Sequence, residues 1–92
     1  MKKRLEAEIT GQVQGVLFRA KTQAFAQRLG LVGWVQNEDD GSVFVVAEGE
    51  EERLKKLLEF LRTGPDHAQV EKVEVSWADP IGEFREFEIR YD

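Results

Sequence analysis

The chain has 92 residues, 41% of them apolar, with no cysteine and a formal net charge of −5; this describes one small domain with a single core and excludes disulfides, thiolate metal sites and a cysteine nucleophile. The acidic balance argues against a general electrostatic grip on nucleic acid, so an anionic ligand must be held by a local device. Nothing approaches the roughly 20 apolar residues of a membrane span, and Met1 to Arg4 leads into charged alternation rather than a signal-peptide core, which together predict a cytoplasmic protein with no membrane partner.

In chain order, Leu5, Ala7, Ile9 and Val13 alternate with Glu6, Glu8, Thr10 and Gln12, the period-two pattern of a strand with one buried face. Gly15 interrupts it. From Ala20 the spacing turns helical, with Ala20, Ala24, Phe25 and Leu29 as its apolar positions and Gly30 as a carboxyl-end cap. Leu31 to Gln36 reads as a second strand. Asn37-Glu38-Asp39-Asp40-Gly41 reads as a turn in which Asp-Gly supplies the positive-φ position, and Ser42 to Glu48 completes a hairpin. Glu50, Glu51 and Glu52 give the next helix an acidic first turn that suits its dipole. Leu54, Leu57, Leu58 and Leu61 then form a core-facing stripe, ended by Thr63-Gly64-Pro65. Val70 to Trp77 is a fourth strand with Val73, Val75 and Trp77 on one face. Phe87, Ile89 and Tyr91 line one face of a fifth, with Pro80 and Gly82 in the link between them.

The order is βαββαβ with an extra carboxyl-terminal strand. The expected architecture is α+β: a mostly antiparallel five-stranded sheet in a split-βαβ arrangement, two helices on one face, and a single domain over residues 1–92. The first and last strands are expected at exposed sheet edges, and Phe18 and Trp34 are expected in the core.

The segment Gln14 to Arg19 breaks local rules. No Ser, Thr, Asp or Asn stands where the first helix begins, so its free N–H groups lack a side-chain cap. Its first turn carries Arg19 and Lys21, which the macrodipole disfavours by a few tenths of a kcal/mol each, whereas the second helix opens with three glutamates. One reading is an ordinary strand-to-helix connection with Arg19 on the surface. The other is an anion site, in which successive loop N–H groups form a concavity for phosphate, the helix end adds its partial charge and Arg19 closes the cradle. Neither a Walker loop nor a dinucleotide fingerprint is present.

Other polar residues have simpler explanations. His67, the only histidine, sits in a polar loop and is expected to have no duty. Asp39 and Asp40 suit turn formation, and Glu50 to Glu52 suit the helix dipole. No spacing of His and carboxylates supports a metal site. Asn37, the only asparagine, reads in isolation as a turn residue, although Asp-Gly already supplies the turn chemistry.

The run Gly11-x-Val13-Gln14-Gly15-Val16-x-Phe18-Arg19, followed by Gly33-Trp34-Val35-x-Asn37 and Asp40-Gly41-x-Val43, resembles the acylphosphatase family, and Phe87-x-Ile89-Arg90-Tyr91 is similar to that family's closing strand. The resemblance spans nearly the whole chain. It implies a ferredoxin-like domain that hydrolyses the carboxyl–phosphate bond of acyl phosphates to carboxylate and inorganic phosphate, without metal or cofactor. It also implies that the backbone of Gly15, Val16, Leu17 and Phe18 binds phosphate with Arg19, and that Asn37 holds the attacking water. A monomer acting on a small molecule, with no nucleic acid partner, is the corresponding expectation. Two positions depart from the family pattern. Leu17 stands where similar proteins often carry Gly or Cys and is expected to be tolerated, and Glu38 places an extra negative charge near the expected site. The competing readings are a non-catalytic phosphate-binding module and a nucleic-acid-binding module on the same fold. Gly41-Ser42-Val43-Phe44-Val45 is faintly similar to an RNA-binding strand but lacks the basic leader and paired aromatics of one.

Overall fold

The alternation in the first dozen residues becomes strand β1 (Lys2–Gln12) in a computed structural model that describes residues 1–91. Then follow α1 (Phe18–Arg28), β2 (Val32–Asn37), β3 (Val43–Glu50), α2 (Glu51–Thr63), β4 (Gln69–Ala78) and β5 (Phe87–Arg90). The strands form one sheet in the order β4-β1-β3-β2-β5. The pairs β1–β3, β1–β4 and β2–β3 are antiparallel, while β5 runs parallel to β2. The sheet is therefore mixed, with the fifth strand supplying its one parallel pairing. Its edges are β4 and β5. The first strand lies between β4 and β3, contrary to the expectation of an edge, because the split βαβ arrangement brings β3 and β4 to its two sides.

Register explains the core. Leu5 faces Ala47, Ala7 faces Val45 and Ile9 faces Val43 across β1–β3, and Val35 faces Val45 across β2–β3. All seven side chains are buried under the helices. From α2 come Leu54, Leu57 and Leu61, the stripe read in the sequence. From α1 come Phe18, Thr22 and Ala26, with Phe25 and Leu29 half-buried, whereas Ala20 and Ala24 are exposed. The helix begins two residues earlier than its apolar spacing suggests, at Phe18, and this shifts the buried stripe. Phe25 of α1 stacks on Phe60 of α2 with ring centroids 4.8 Å apart.

The helix-free face of the sheet is partly dressed. Trp34 lies there rather than in the core, tilted against Phe44 at 5.7 Å, with the Arg90 guanidinium 4.6 Å from its ring centroid. Since β4 and β5 are opposite edges, the chain between them must traverse the sheet. Glu48, only 4% exposed, clasps this crossing. Its carboxylate accepts from the backbone N–H groups of Ile81 at 2.8 Å and Gly82 at 3.0 Å and from Arg4 Nη1 at 3.0 Å. Arg4 also donates to Glu6 at 2.8 Å, and Gly33 N–H donates to the Glu86 carbonyl at 2.9 Å. Together these bonds deliver β5 to its place beside β2. No helix among the described residues is long and apolar enough to cross a membrane.

Burial alone would push the Glu48 carboxyl up, but the two amide donors and Arg4 outweigh it, and its pKa lies below the ordinary value. A carboxyl depressed in the folded state contributes stability that is complete above its unfolded pKa, about 4.3, and is lost as pH falls below that through the lowered folded value. Glu48→Ala should therefore reduce the unfolding free energy at neutral pH by about 2–3 kcal/mol, measured by denaturant titration. The gap to wild type should shrink below about pH 4, and an undiminished gap at about pH 3 would contradict this account.

Candidate active site

The register of β1 against β4 shifts between Thr10 and Gly11, a bulge at the strand's carboxyl end that starts the turn toward α1. In the loop that follows, Gly15 has φ 76° and Leu17 has φ 62°, while Val16 between them stays at negative φ. Such alternating handedness turns successive N–H groups toward one side. Leu17 is also the N-cap residue of α1, left-handed and without a side-chain cap, and the first turn contains no acidic residue. The earliest helical bond runs from Lys21 N–H to the Leu17 carbonyl at 3.0 Å. The N–H groups of Phe18, Arg19 and Ala20 therefore precede the hydrogen-bonded ladder. The second helix, by contrast, has Glu51 and Glu52 in its first turn.

A cavity of about 310 Å³ opens at this helix end. Gly15, Leu17 and Arg19 form its loop side, and Asn37, at the end of β2, faces them. Its apolar wall includes Val13, Phe18, Ile89 and Tyr91. The cavity sits where it does because β1, β2 and β5 all run in one direction and end together. Of the residues singled out in the sequence, Gly15, Leu17, Phe18, Arg19 and Asn37 thus meet around one space, whereas Val16 is half-buried against the core and does not line it.

Arg19 is half-buried, and its guanidinium carbon lies 5.0 Å from the centroid of the Tyr91 ring. No carboxylate among the described residues forms an ion pair with it. The Tyr91 ring lies over it at cation–π distance, a contact that attracts the guanidinium without supplying a counter-charge. Asn37 Oδ1 is buried and has no hydrogen-bond partner among the described residues. An unmet acceptor of this kind costs about 1–3 kcal/mol unless a water or ligand supplies a proton to it. The arrangement therefore offers backbone donors, one cation and one amide acceptor converging on a small space, a donor set suited to an oxyanion beside a water.

The other polar residues stand apart from this space. The carboxylate of Glu38 accepts from Gln36 Nε2 at 3.2 Å. Gln36 projects from the opposite face of β2 to Asn37, so the extra charge is drawn off the cavity side. Asp40 Oδ1 accepts from Ser42 N–H at 3.0 Å and Ser42 Oγ at 2.7 Å. These bonds hold its carboxyl below the usual range and give it the turn role read in the sequence. His67 is exposed in the loop after α2 and does not line the cavity. Among the described residues no group of three or more His, Asp or Glu side chains is placed to share a metal ion.

Two residues of the site had been given no role from sequence. Tyr91 reads from sequence as one face of the last strand and as part of the closing-strand resemblance; in the structure it is exposed and lies over Arg19. Only the parallel pairing of β5 with β2 brings it there, and no local pattern announces that pairing. The other, Gln14, donates to two backbone carbonyls of the β2–β3 turn, as detailed below.

The fold and this cavity define a ferredoxin-like α+β domain with a donor-rich pocket at the amino end of its first helix. A family model described as Acylphosphatase matches residues 5–89. An acylphosphatase of Acaryochloris marina is 53% identical over 85 residues, spanning 92% of this chain and 90% of that one. One of Salinibacter ruber is 49% identical over 88 residues, spanning 96% and 93%. The crystal structure of acylphosphatase from Bacillus subtilis superimposes with a TM-score of 0.93 at 34% identity, covering 97% of this chain and 99% of that one. The chain belongs to the acylphosphatase family, a family of hydrolases.

The left-handed conformation of Leu17 revises the expectation that leucine sits there without penalty. Non-glycine residues pay about 1–2 kcal/mol in this region, and the side chain is 69% exposed, so little burial offsets it. Leu17→Gly should raise the unfolding free energy by about 0.5–1 kcal/mol after allowance for the added freedom of the unfolded glycine. A lower denaturant midpoint for the variant would show that the leucine side chain stabilises the loop in some other way.

Proposed function

We propose that this protein hydrolyses the carboxyl–phosphate bond of acyl phosphates to carboxylate and inorganic phosphate, by in-line attack of a water and without a metal or cofactor. The observation that carries this reading is the convergence of a guanidinium, Arg19, and a buried amide oxygen, Asn37 Oδ1, both unpaired among the described residues, on one cavity at an uncapped helix end.

The chemistry suits so few groups. An acyl phosphate is an activated mixed anhydride whose leaving group is a carboxylate and needs little protonation. Phosphoryl transfer can then proceed by positioning and charge stabilisation. Backbone N–H groups from Gly15 to Arg19, with the Arg19 fork, take the equatorial phosphoryl oxygens and stabilise the charge that spreads over them as the bond opens. The Tyr91 ring attracts the fork without supplying a counter-charge. A water donates to Asn37 Oδ1 and is held with its lone pair toward phosphorus, opposite the departing oxygen. The new P–O bond forms as the old one breaks. The electron pair leaves with the carboxylate, and the water proton passes to solvent or to the phosphate product. A dedicated general base is not required, and His67 takes no part. The loop's main chain carries the recognition, so the side chain of Val16 can face the core without loss.

The same reading makes the protein a cytoplasmic monomer with a small-molecule substrate and no nucleic acid partner. The net charge of −5 opposes a polyanion, and on the sheet's helix-free face Arg4, Lys72 and Arg90 stand among Glu6, Glu8, Glu74 and Glu88 rather than forming a basic patch.

Hydrolysis of benzoyl phosphate in the presence of a chelator tests the reaction, and loss of activity on adding EDTA would overturn the metal-free mechanism. Arg19→Gln should lower kcat/KM about a thousandfold and weaken competitive inhibition by inorganic phosphate. Asn37→Ala should lower kcat about a hundredfold or more while inhibition by phosphate persists. If Asn37→Ala instead lost phosphate inhibition and kept its turnover, the roles assigned to the two residues would have to be exchanged.

A further inference from the structure

The loop and Asn37 must be held at a fixed separation, yet no backbone ladder joins them directly: β1 and β2 meet only through β3, where Val43 pairs with both Ile9 and Asn37. Strands β1 and β2, which deliver them, are not neighbours, because β3 lies between them in the sheet. The loop between β1 and α1 hangs beyond the last paired residue of β1, Gln12, and Asn37 is the last paired residue of β2, opposite Val43. Across this gap reaches the side chain of Gln14. Its Nε2 donates to the Glu38 carbonyl at 2.8 Å and to the Ser42 carbonyl at 2.9 Å. Both N–H protons of the amide are thereby spent on a single turn. The two carbonyls belong to that turn's own frame, since Glu38 N–H donates to the Ser42 carbonyl at 2.9 Å and Gly41 N–H donates to the Glu38 carbonyl at 3.1 Å. Gln14 immediately precedes Gly15, and Glu38 immediately follows Asn37.

We infer that Gln14 is a positioning residue that sets the separation between the loop at Gly15–Arg19 and Asn37. The inference rests on the acyl phosphate hydrolysis proposed above and assigns a task that neither Arg19 nor Asn37 performs. Only an amide of this length suits the place. A carboxylate at the same position would set its oxygens against two carbonyl oxygens, and leucine would fill the space without donating. The phosphate-binding groups all lie on one continuous segment, so breaking the tie leaves that segment able to hold phosphate. What it changes is the distance from the bound phosphoryl group to the water on Asn37. A misplacement of about 1 Å is enough to cost on the order of a hundredfold in rate.

The test compares Gln14→Leu with wild type in benzoyl phosphate hydrolysis, inhibition by inorganic phosphate and thermal unfolding. The expected result is a kcat lower by about ten- to a hundredfold, with the inhibition constant for phosphate within about threefold of wild type. The decisive measurement is the double variant. In the Asn37→Ala background, Gln14→Leu should lower kcat by less than about threefold, because its effect acts through the residue already removed. A kcat that stays at the wild-type level, a phosphate affinity that falls in step with kcat, or two losses that multiply would each overturn the inference. Should Gln14→Leu fail to fold, Gln14→Asn keeps the donors but shortens their reach and must show the same division between kcat and phosphate inhibition. An inactive wild type would instead sink the hydrolase reading, so the two failures are distinguishable.

Discussion

The amino end of α1 carries hydrogen-bond donors that the described protein leaves without capping partners, and most of the site's features follow from that one fact. A helix end without a capping side chain, with Arg19 and Lys21 in its first turn, is less stable than it needs to be. The left-handed Leu17 immediately before it adds backbone strain. Each of these features reverses its sign when an anion sits at the helix end: the free N–H groups find acceptors, the cations find a counter-charge, and the strained bend becomes the wall of a cradle. Stability has been given up locally, and the second helix, which also lacks a side-chain cap, differs in having Glu51 and Glu52 in its first turn to answer its dipole.

The remainder of the fold serves to keep this end in place. Under the sheet, Leu5, Ile9, Val43 and Val45 pack against Leu54, Leu57 and Leu61, giving the loop a rigid base on β1. At the far end, Glu48 clasps the crossing between β4 and β5, so that β5 can lie beside β2 and put Ile89 and Tyr91 into the cavity wall. A buried carboxylate remote from the chemistry thus determines the location of an aromatic ring that lies over Arg19. The site is assembled from three strand ends and one helix end, and each is fixed by a different set of contacts.

Much of this was legible in the sequence because it is local. Alternation at Leu5, Ala7 and Ile9 announced β1, the leucine stripe announced α2, and Asp40-Gly41 announced the turn. The broken capping rule pointed to Arg19 and the family resemblance to Asn37, two residues that the fold brings to one cavity. What was not legible depends on pairing between distant segments. The parallel pairing of β5 with β2, the interior position of β1 and the resulting cover of Arg19 by Tyr91 have no local signature. The apolar spacing places the start of α1 at Ala20, two residues after its actual start at Phe18, although the capping argument already put Arg19 in its first turn. A left-handed leucine is a poor helix-start signal, and it is tolerated here only because the surrounding structure over-determines it. Sequence proximity to Asn37 does not reveal that the Glu38 carboxylate accepts from Gln36, whose side chain leaves the opposite face of β2.

The contacts of Gln14 are both to main-chain oxygens. Main-chain carbonyls are present whatever residue occupies a position, so the side chains of Glu38 and Ser42 are not what Gln14 reads, although Asp40 and Gly41 still shape the turn that presents those carbonyls. Asp39 is exposed and can drift under selection for solubility or temperature, while Gly41, at φ 94°, must stay a glycine for the turn to keep its shape. Evolutionary freedom and geometric fidelity are in this way assigned to different atoms of the same turn.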